Sequence, residues 1–194
     1  MVKLQNIISF LKKILLAFEL FIVILLVHWE KLLFVGLIAF DQLTKYFVAA
    51  RMTPGESVPV IKNFFNITYV LNPGAAFGIL PNQRIFFVVA GVLLLVCAIF
   101  FYGRIKKSER VLKFGVINLL SGATANLIDR IQSGLVTDFL HFGSWPVFNI
   151  ADVAIVVGMF VTVYALLLNS EEKGYNEFSN GLDDKKSSIG RLPE

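Results

Sequence analysis

Apolar positions along this chain fall into long runs separated by short polar connectors. The runs at residues 85–102, 111–128 and 148–168 each come close to the roughly 20 residues that cross a ~30 Å hydrocarbon core. A fourth, at 32–50, qualifies despite Asp41 and Lys45 within it. Upstream, residues 15–28 are apolar except for Glu19 and follow Lys12 and Lys13. That run is short for a span. It reads as a short fifth helix, an interfacial helix or an extension of the next one. No small-x-small cleavage site follows it, so a membrane-associated helix that stays attached is favoured. Residues 51–84 make a long connector. Within it Asn66-Ile67-Thr68-Tyr69-Val70-Leu71 is β-branched and aromatic, which predicts a short strand in a small sheet on the outer surface. Pro73-Gly74 turns the chain, and Ala75, Ala76 and Gly78 leave room for another backbone.

The expected fold is therefore an all-α membrane protein. It has four transmembrane helices, a small extracytoplasmic β-sheet and an extra N-terminal membrane-associated helix. The chain divides into an extension at 1–31, a four-helix unit at 32–168 and a polar tail at 169–194, read as a flexible solvated end.

Composition agrees. Of 194 residues, 56% are apolar and 16% charged, where a soluble domain carries about a quarter charged. The mean hydropathy is +0.72. An ordinary soluble globule and a disordered chain are both excluded. The net charge of +4 does not point to nucleic acid, because the basic residues sit between apolar runs and set orientation. Arg104, Lys106, Lys107 and Arg110 place their connector in the cytoplasm, whereas 131–146 has no Lys or Arg. Cys97 is the single cysteine, so no disulfide forms within the chain. Leu94-Leu95-Val96-Cys97 faintly resembles a lipid-attachment site, but mid-run it reads as a buried small hydrophobe.

On this topology Asp41, Lys45, Asn72, Asn126, Asp129, Arg130, Asp138, Asn149 and Asp152 all fall at the outer membrane level, and the inner halves of the spans hold few such groups. Ionisable residues inside spans are costly and face a protein interior or a wet cavity. Asp41 and Lys45, four apart, share a helix face and neutralise each other. Asn126, Asp129 and Arg130 share another face, with Arg130 either clamping carbonyls or snorkelling. Asp152, inside its helix start, must be protonated or paired.

The chemistry open to this set is narrow. The two histidines, His28 and His141, complete no Ser-His-Asp set, and no His-Glu-x-x-His spacing occurs. Carboxylates remain. Two sharing a site split their pKa values and hold one proton, so one activates water and the other protonates a leaving group. An ion or proton pathway, or a non-catalytic membrane subunit, stays open at this point.

The ordered motifs Asp41-Gln42-Leu43-Thr44-Lys45, Asn72-Pro73-Gly74-Ala75-Ala76-Phe77-Gly78, Ser121-Gly122-Ala123-Thr124-Ala125-Asn126-Leu127-Ile128-Asp129-Arg130, Val136-Thr137-Asp138-Phe139 and Phe148-Asn149-Ile150-Ala151-Asp152 resemble those of lipoprotein signal peptidases (signal peptidase II). The resemblance covers roughly residues 32–168. It implies a bacterial plasma-membrane aspartic endopeptidase with its active site near the extracytoplasmic face. Such an enzyme removes signal peptides from prolipoproteins, cutting before a diacylglyceryl-cysteine. It implies no metal or cofactor, membrane lipids around the protein, inhibition by globomycin-type peptides and a monomer. By motif position Asp138 and Asp152 are the catalytic pair. Asn72, Gly74, Asn126, Arg130 and Asn149 line the substrate site, and Asp41, Lys45 and Asp129 support it. Ser121 and Ala125 replace two glycines usual in the third motif, Val153 replaces a commoner Ser, and Trp145 a usual Phe. The extension before the first span is longer than the family norm.

Overall fold

The computed structural model describes residues 2–74 and 83–189, so Ala75, Ala76, Phe77 and Gly78 of the second motif lie outside the described residues. Among the described residues, four helices are long and apolar enough to span a membrane: Val27–Arg51 within α1 (Val2–Arg51), α2 (Arg84–Tyr102), α3 (Arg110–Gln132) and Ile150–Glu171 within α4 (Ile150–Ile189). The helix expected in the extension is present and runs unbroken into the first span. The tail read as flexible is instead helical to Ile189, a continuation of α4.

Sequence explains which helix sits in the middle. α2 is the most apolar span and buries none of its residues fully; Phe87, Val88, Gly91, Leu95, Ala98 and Tyr102 are half-buried and the rest of its surface is open to lipid. Cys97 belongs to it and is exposed, not buried as expected. α3 is the least apolar span and the most buried, because its polar residues need protein partners, and α1, α2 and α4 pack around it. With lipid outside, close backbone approach rather than water exclusion holds such helices together. A Cβ on Gly122 would run into the Ala151 carbonyl and Ile155, and one on Gly158 into the backbone of Leu119. The two departures from the glycine pattern are absorbed without opening this contact. Ala125 is buried, and Ser121 turns its hydroxyl back to donate to the Ile117 carbonyl at 2.7 Å.

The small sheet is three-stranded and antiparallel, in the order β1 (Ser57–Ile61), β2 (Phe65–Asn72), β3 (Val136–Phe142). The predicted strand is β2; its two partners lie in segments read as connectors. β1 and β2 form a hairpin whose turn residue Asn63 takes φ 60, a left-handed conformation asparagine tolerates. β3 follows α3 through Gly134, where φ is +80 and a Cβ would press on Arg84.

The inner end is not empty of charge. Glu30 pairs with Lys113 at 2.9 Å and accepts from the Tyr102 hydroxyl, tying α1, α2 and α3 together. Asn118 is also buried and donates to the Phe114 carbonyl of its own helix.

Candidate active site

The site is assembled where the sheet meets the outer ends of the helices. Val70 pairs with Asp138, and Asn72 with Val136. Beyond β3 the chain doubles back, and Phe148 exchanges backbone hydrogen bonds with Leu140 at 2.7 and 3.0 Å. This places the start of α4 beside Asp138. Asn149 is the N-cap of α4: its Oδ1 accepts from the Asp152 backbone N–H at 2.9 Å, and Asp152 Oδ2 accepts from the Asn149 N–H at 3.3 Å. That reciprocal pair is a capping box, which satisfies helix-end donors and locks both side chains.

Each carboxylate is held by amide donors. Asp138 accepts from Asn72 Nδ2 at 2.9 Å and from Asn149 Nδ2 at 2.7 Å, one to each oxygen. Asp152 Oδ1 accepts from Asn126 Nδ2 at 2.8 Å. Asn126 is itself oriented, because its oxygen receives Lys45 Nζ at 2.9 Å and Asn149 Nδ2 at 3.1 Å. An amide whose oxygen faces an ammonium presents its nitrogen to Asp152.

Beneath lies a buried charge cluster. Lys45 meets Asp41 at 2.8 Å and Asp129 at 2.7 Å. Asp41 also accepts the Ala151 N–H, a free donor in the first turn of α4. Gln42 donates to Asp129 at 2.8 Å and to the Ala125 carbonyl. Gln42 was missed in the sequence; its only signal is its place beside the Asp41–Lys45 pair. Arg130 does clamp carbonyls, those of Gly74 at 3.1 Å and Asn126 at 3.3 Å, and lies over the Phe87 ring. Gly74 in turn donates its N–H to Asn72 Oδ1.

Asn72, Asn126, Arg130, Asp138 and Asp152 line one cleft of about 590 Å³. Its remaining wall is apolar and includes Trp145, Pro146, Phe148, Val153 and Val156, which sequence reasoning had not assigned to the site. Burial pushes the Asp138 carboxyl up from 3.8 to about 7. The amide bonds from Asn72 and Asn149 and the charge of Lys45 oppose that rise, and the charge of Asp152 adds to it. Among the described residues no group of three His, Cys, Asp or Glu side chains could hold a metal ion.

Residues 33–168 match the family model described as signal peptidase (SPase) II. The chain belongs to the signal peptidase II family. It is 44% identical over 137 residues to the lipoprotein signal peptidase of Pelotomaculum thermopropionicum, covering 71% of this chain and 90% of that one. It is 39% identical to the Clostridioides difficile protein of the same name, covering 73% and 97%. A solved structure described as a bacterial membrane enzyme superposes with a TM-score of 0.70 at 35% identity, over 74% of this chain and 90% of that one. This member of the family is a multi-pass membrane peptidase, and each of the five motifs brings described residues to the one site.

Proposed function

We propose that Asp138 and Asp152 are the catalytic pair with which this signal peptidase II removes signal peptides from prolipoproteins, cutting before a diacylglyceryl-cysteine. The observation that carries the reading is the placement of the two acids, from β3 and α4, in one cleft with Asn149 bonded to both.

The pair holds one proton. Four carboxylates (Asp41, Asp129, Asp138, Asp152) face two cations (Lys45, Arg130), so keeping one acid neutral relieves repulsion. Burial raises the Asp138 carboxyl, and we place the proton there. Asp152, in the first turn of α4, sits where the helix N-terminus favours negative charge. It takes a proton from water as the water oxygen bonds to the scissile carbonyl carbon. Asp138 then gives its proton to the leaving nitrogen as the C–N bond breaks. The dyad ends with its single proton on the other member, and exchange with water restores the start. Arg130, Asn72 and Asn126, which line the cleft, hold the peptide extended, whereas Asn149, expected at the substrate, is fully buried and positions the two acids instead.

The apolar wall formed by Trp145, Pro146, Phe148, Val153 and Val156 receives the lipidated residue and the signal helix, and is where a globomycin-type peptide would compete. The basic connector after α2 orients the site to the extracytoplasmic face of the bacterial plasma membrane, where the enzyme works as a monomer without a cofactor. A path for ions is disfavoured, because the inner charges Glu30 and Lys113 are paired with each other and the Asn118 amide bonds to its own helix. The test is cleavage of a diacylglyceryl precursor by purified protein. Asp138→Asn and Asp152→Asn should each abolish it while the protein still inserts. Near-normal cleavage by either variant refutes the assignment.

A further inference from the structure

The family match begins at residue 33, so the long N-terminal part of α1 is a feature of this chain outside the shared peptidase unit. From Glu30 to Arg51 α1 runs 22 residues, about 33 Å of helix, enough for a ~30 Å hydrocarbon core. Its inner end is fixed beside the α2–α3 connector, because Glu30 is held by Lys113 and Tyr102. The helix upstream therefore has no hydrocarbon left to cross.

It is not, however, a helix made for water. Leu11, Ile14, Leu15 and Phe18 are 52%, 48%, 60% and 61% exposed. Their spacing of i, i+3, i+4 and i+7 makes one stripe, and the spacing continues upstream in the sequence through Leu4, Ile7 and Ile8. Lys12, Lys13 and Glu19 lie off the stripe, and Leu16 is the one large apolar residue of 11–19 that does too. Farther along α1, Val27, Leu32 and Val35 are also exposed. At the same end Lys31, Arg104, Lys106 and Lys107 are exposed and basic.

We propose that the arm around residues 11–19 lies along the cytoplasmic leaflet, with Leu11, Ile14, Leu15 and Phe18 in the acyl region and Lys12 and Lys13 on acidic phospholipid head groups. The apolar stripe supplies the area, the two lysines supply the preference for anionic lipid, and their combination on one helix is that of an interfacial segment. α1 is continuous through this point, so docking requires the helix to bend where it leaves the bilayer, near Trp29, a residue type suited to that level. Which leaflet this is rests on the orientation proposed above; the lipid contact does not.

The test uses the full-length chain with Cys97→Ala and single cysteines at 11 to 16 and 18, spin-labelled in nanodiscs with and without phosphatidylglycerol. Labels at 11, 14, 15 and 18 should meet oxygen and escape a nickel chelate, whereas those at 12 and 13 should do the reverse. Two lysines at an acidic surface favour the docked arm by about 30-fold, so Lys12→Gln with Lys13→Gln, or removal of phosphatidylglycerol, should weaken the pattern while precursor cleavage in detergent is unchanged. Labels all in water, labels all in lipid, or a pattern that vanishes at one protein per nanodisc (a second copy covering the stripe) would each overturn the proposal.

Discussion

Replacing Asp138 by Asn removes the one titrating group that the sheet carries into the cleft, and its effect on stability has a calculable pH dependence. The carboxyl lies at about 7 in the folded chain against an ordinary 3.8. Between those values the native state holds a proton that the unfolded chain has released, so stability falls as pH rises. Each unit is worth 1.36 kcal/mol, giving about 4 kcal/mol in all. The contribution is fully present below pH ~4 and lost above pH ~7. Asp138 is 2% exposed, so solvent screening reduces this little. In Asp138→Asn the new amide would keep one acceptor for Asn72 or Asn149 but turn its NH₂ toward the other, a pH-independent cost of about 1–3 kcal/mol. The quantity to measure is the difference in thermal midpoint between wild type and variant, in detergent, from pH 4.5 to 8.5. Other carboxylates cancel in that difference. It should favour wild type at acid pH, shrink progressively by about 7–14 °C between pH 4.5 and 7, and stay level above that, at 2–4 °C per kcal/mol for a chain of this size. Asp152→Asn should move the midpoint of the change downward, because the Asp152 charge raises the Asp138 value. A difference that is flat, or that grows with pH, would mean Asp138 is stabilised as an anion and would refute both the desolvation argument and the proton's placement.

Other substitutions separate support from chemistry. Lys45→Met leaves Asp41 and Asp129 buried without their cation and should cost about 3–5 kcal/mol; a midpoint within a few degrees of wild type would contradict this. Gly122→Ala puts a Cβ into the Ala151 carbonyl and should destabilise by about 1–3 kcal/mol. Gly36→Ala, with open space around it, should instead be neutral or gain up to ~1 kcal/mol; equal effects in thermal unfolding would undo the packing account of α3 and α4. Arg130→Lys loses the forked grip on the Gly74 and Asn126 carbonyls and should lower precursor cleavage by about tenfold or more, at 1.4 kcal/mol per tenfold, with little change in melting. A matched loss of melting and cleavage would make Arg130 a structural residue only.

The spans were legible because lipid imposes a length on apolar runs. The cluster of polar residues was legible because ionisable groups inside a bilayer are rare enough to announce a site. β1 was hidden, since Ser57-Val58-Pro59-Val60-Ile61 is exposed throughout and contains a proline that only an edge strand accepts. Gln42 was hidden because one amide next to an ion pair looks like any polar spacer, and its value comes from Asp129, 87 positions away. Asn149-Ile150-Ala151-Asp152 is a local signal of another kind: the spacing that starts α4 also fixes the carboxylate in the cleft. Stability of a helix end and orientation of a reactive group are therefore one requirement at this position. What no residue pattern carries is the meeting of Asp138 with Asp152. That depends on Phe148 pairing through its main chain with Leu140, and backbone hydrogen bonds are indifferent to side-chain identity. The geometry of the proposed pair thus lies in the register of β3 against the residue before α4, a relation between two segments that becomes visible only when both are folded.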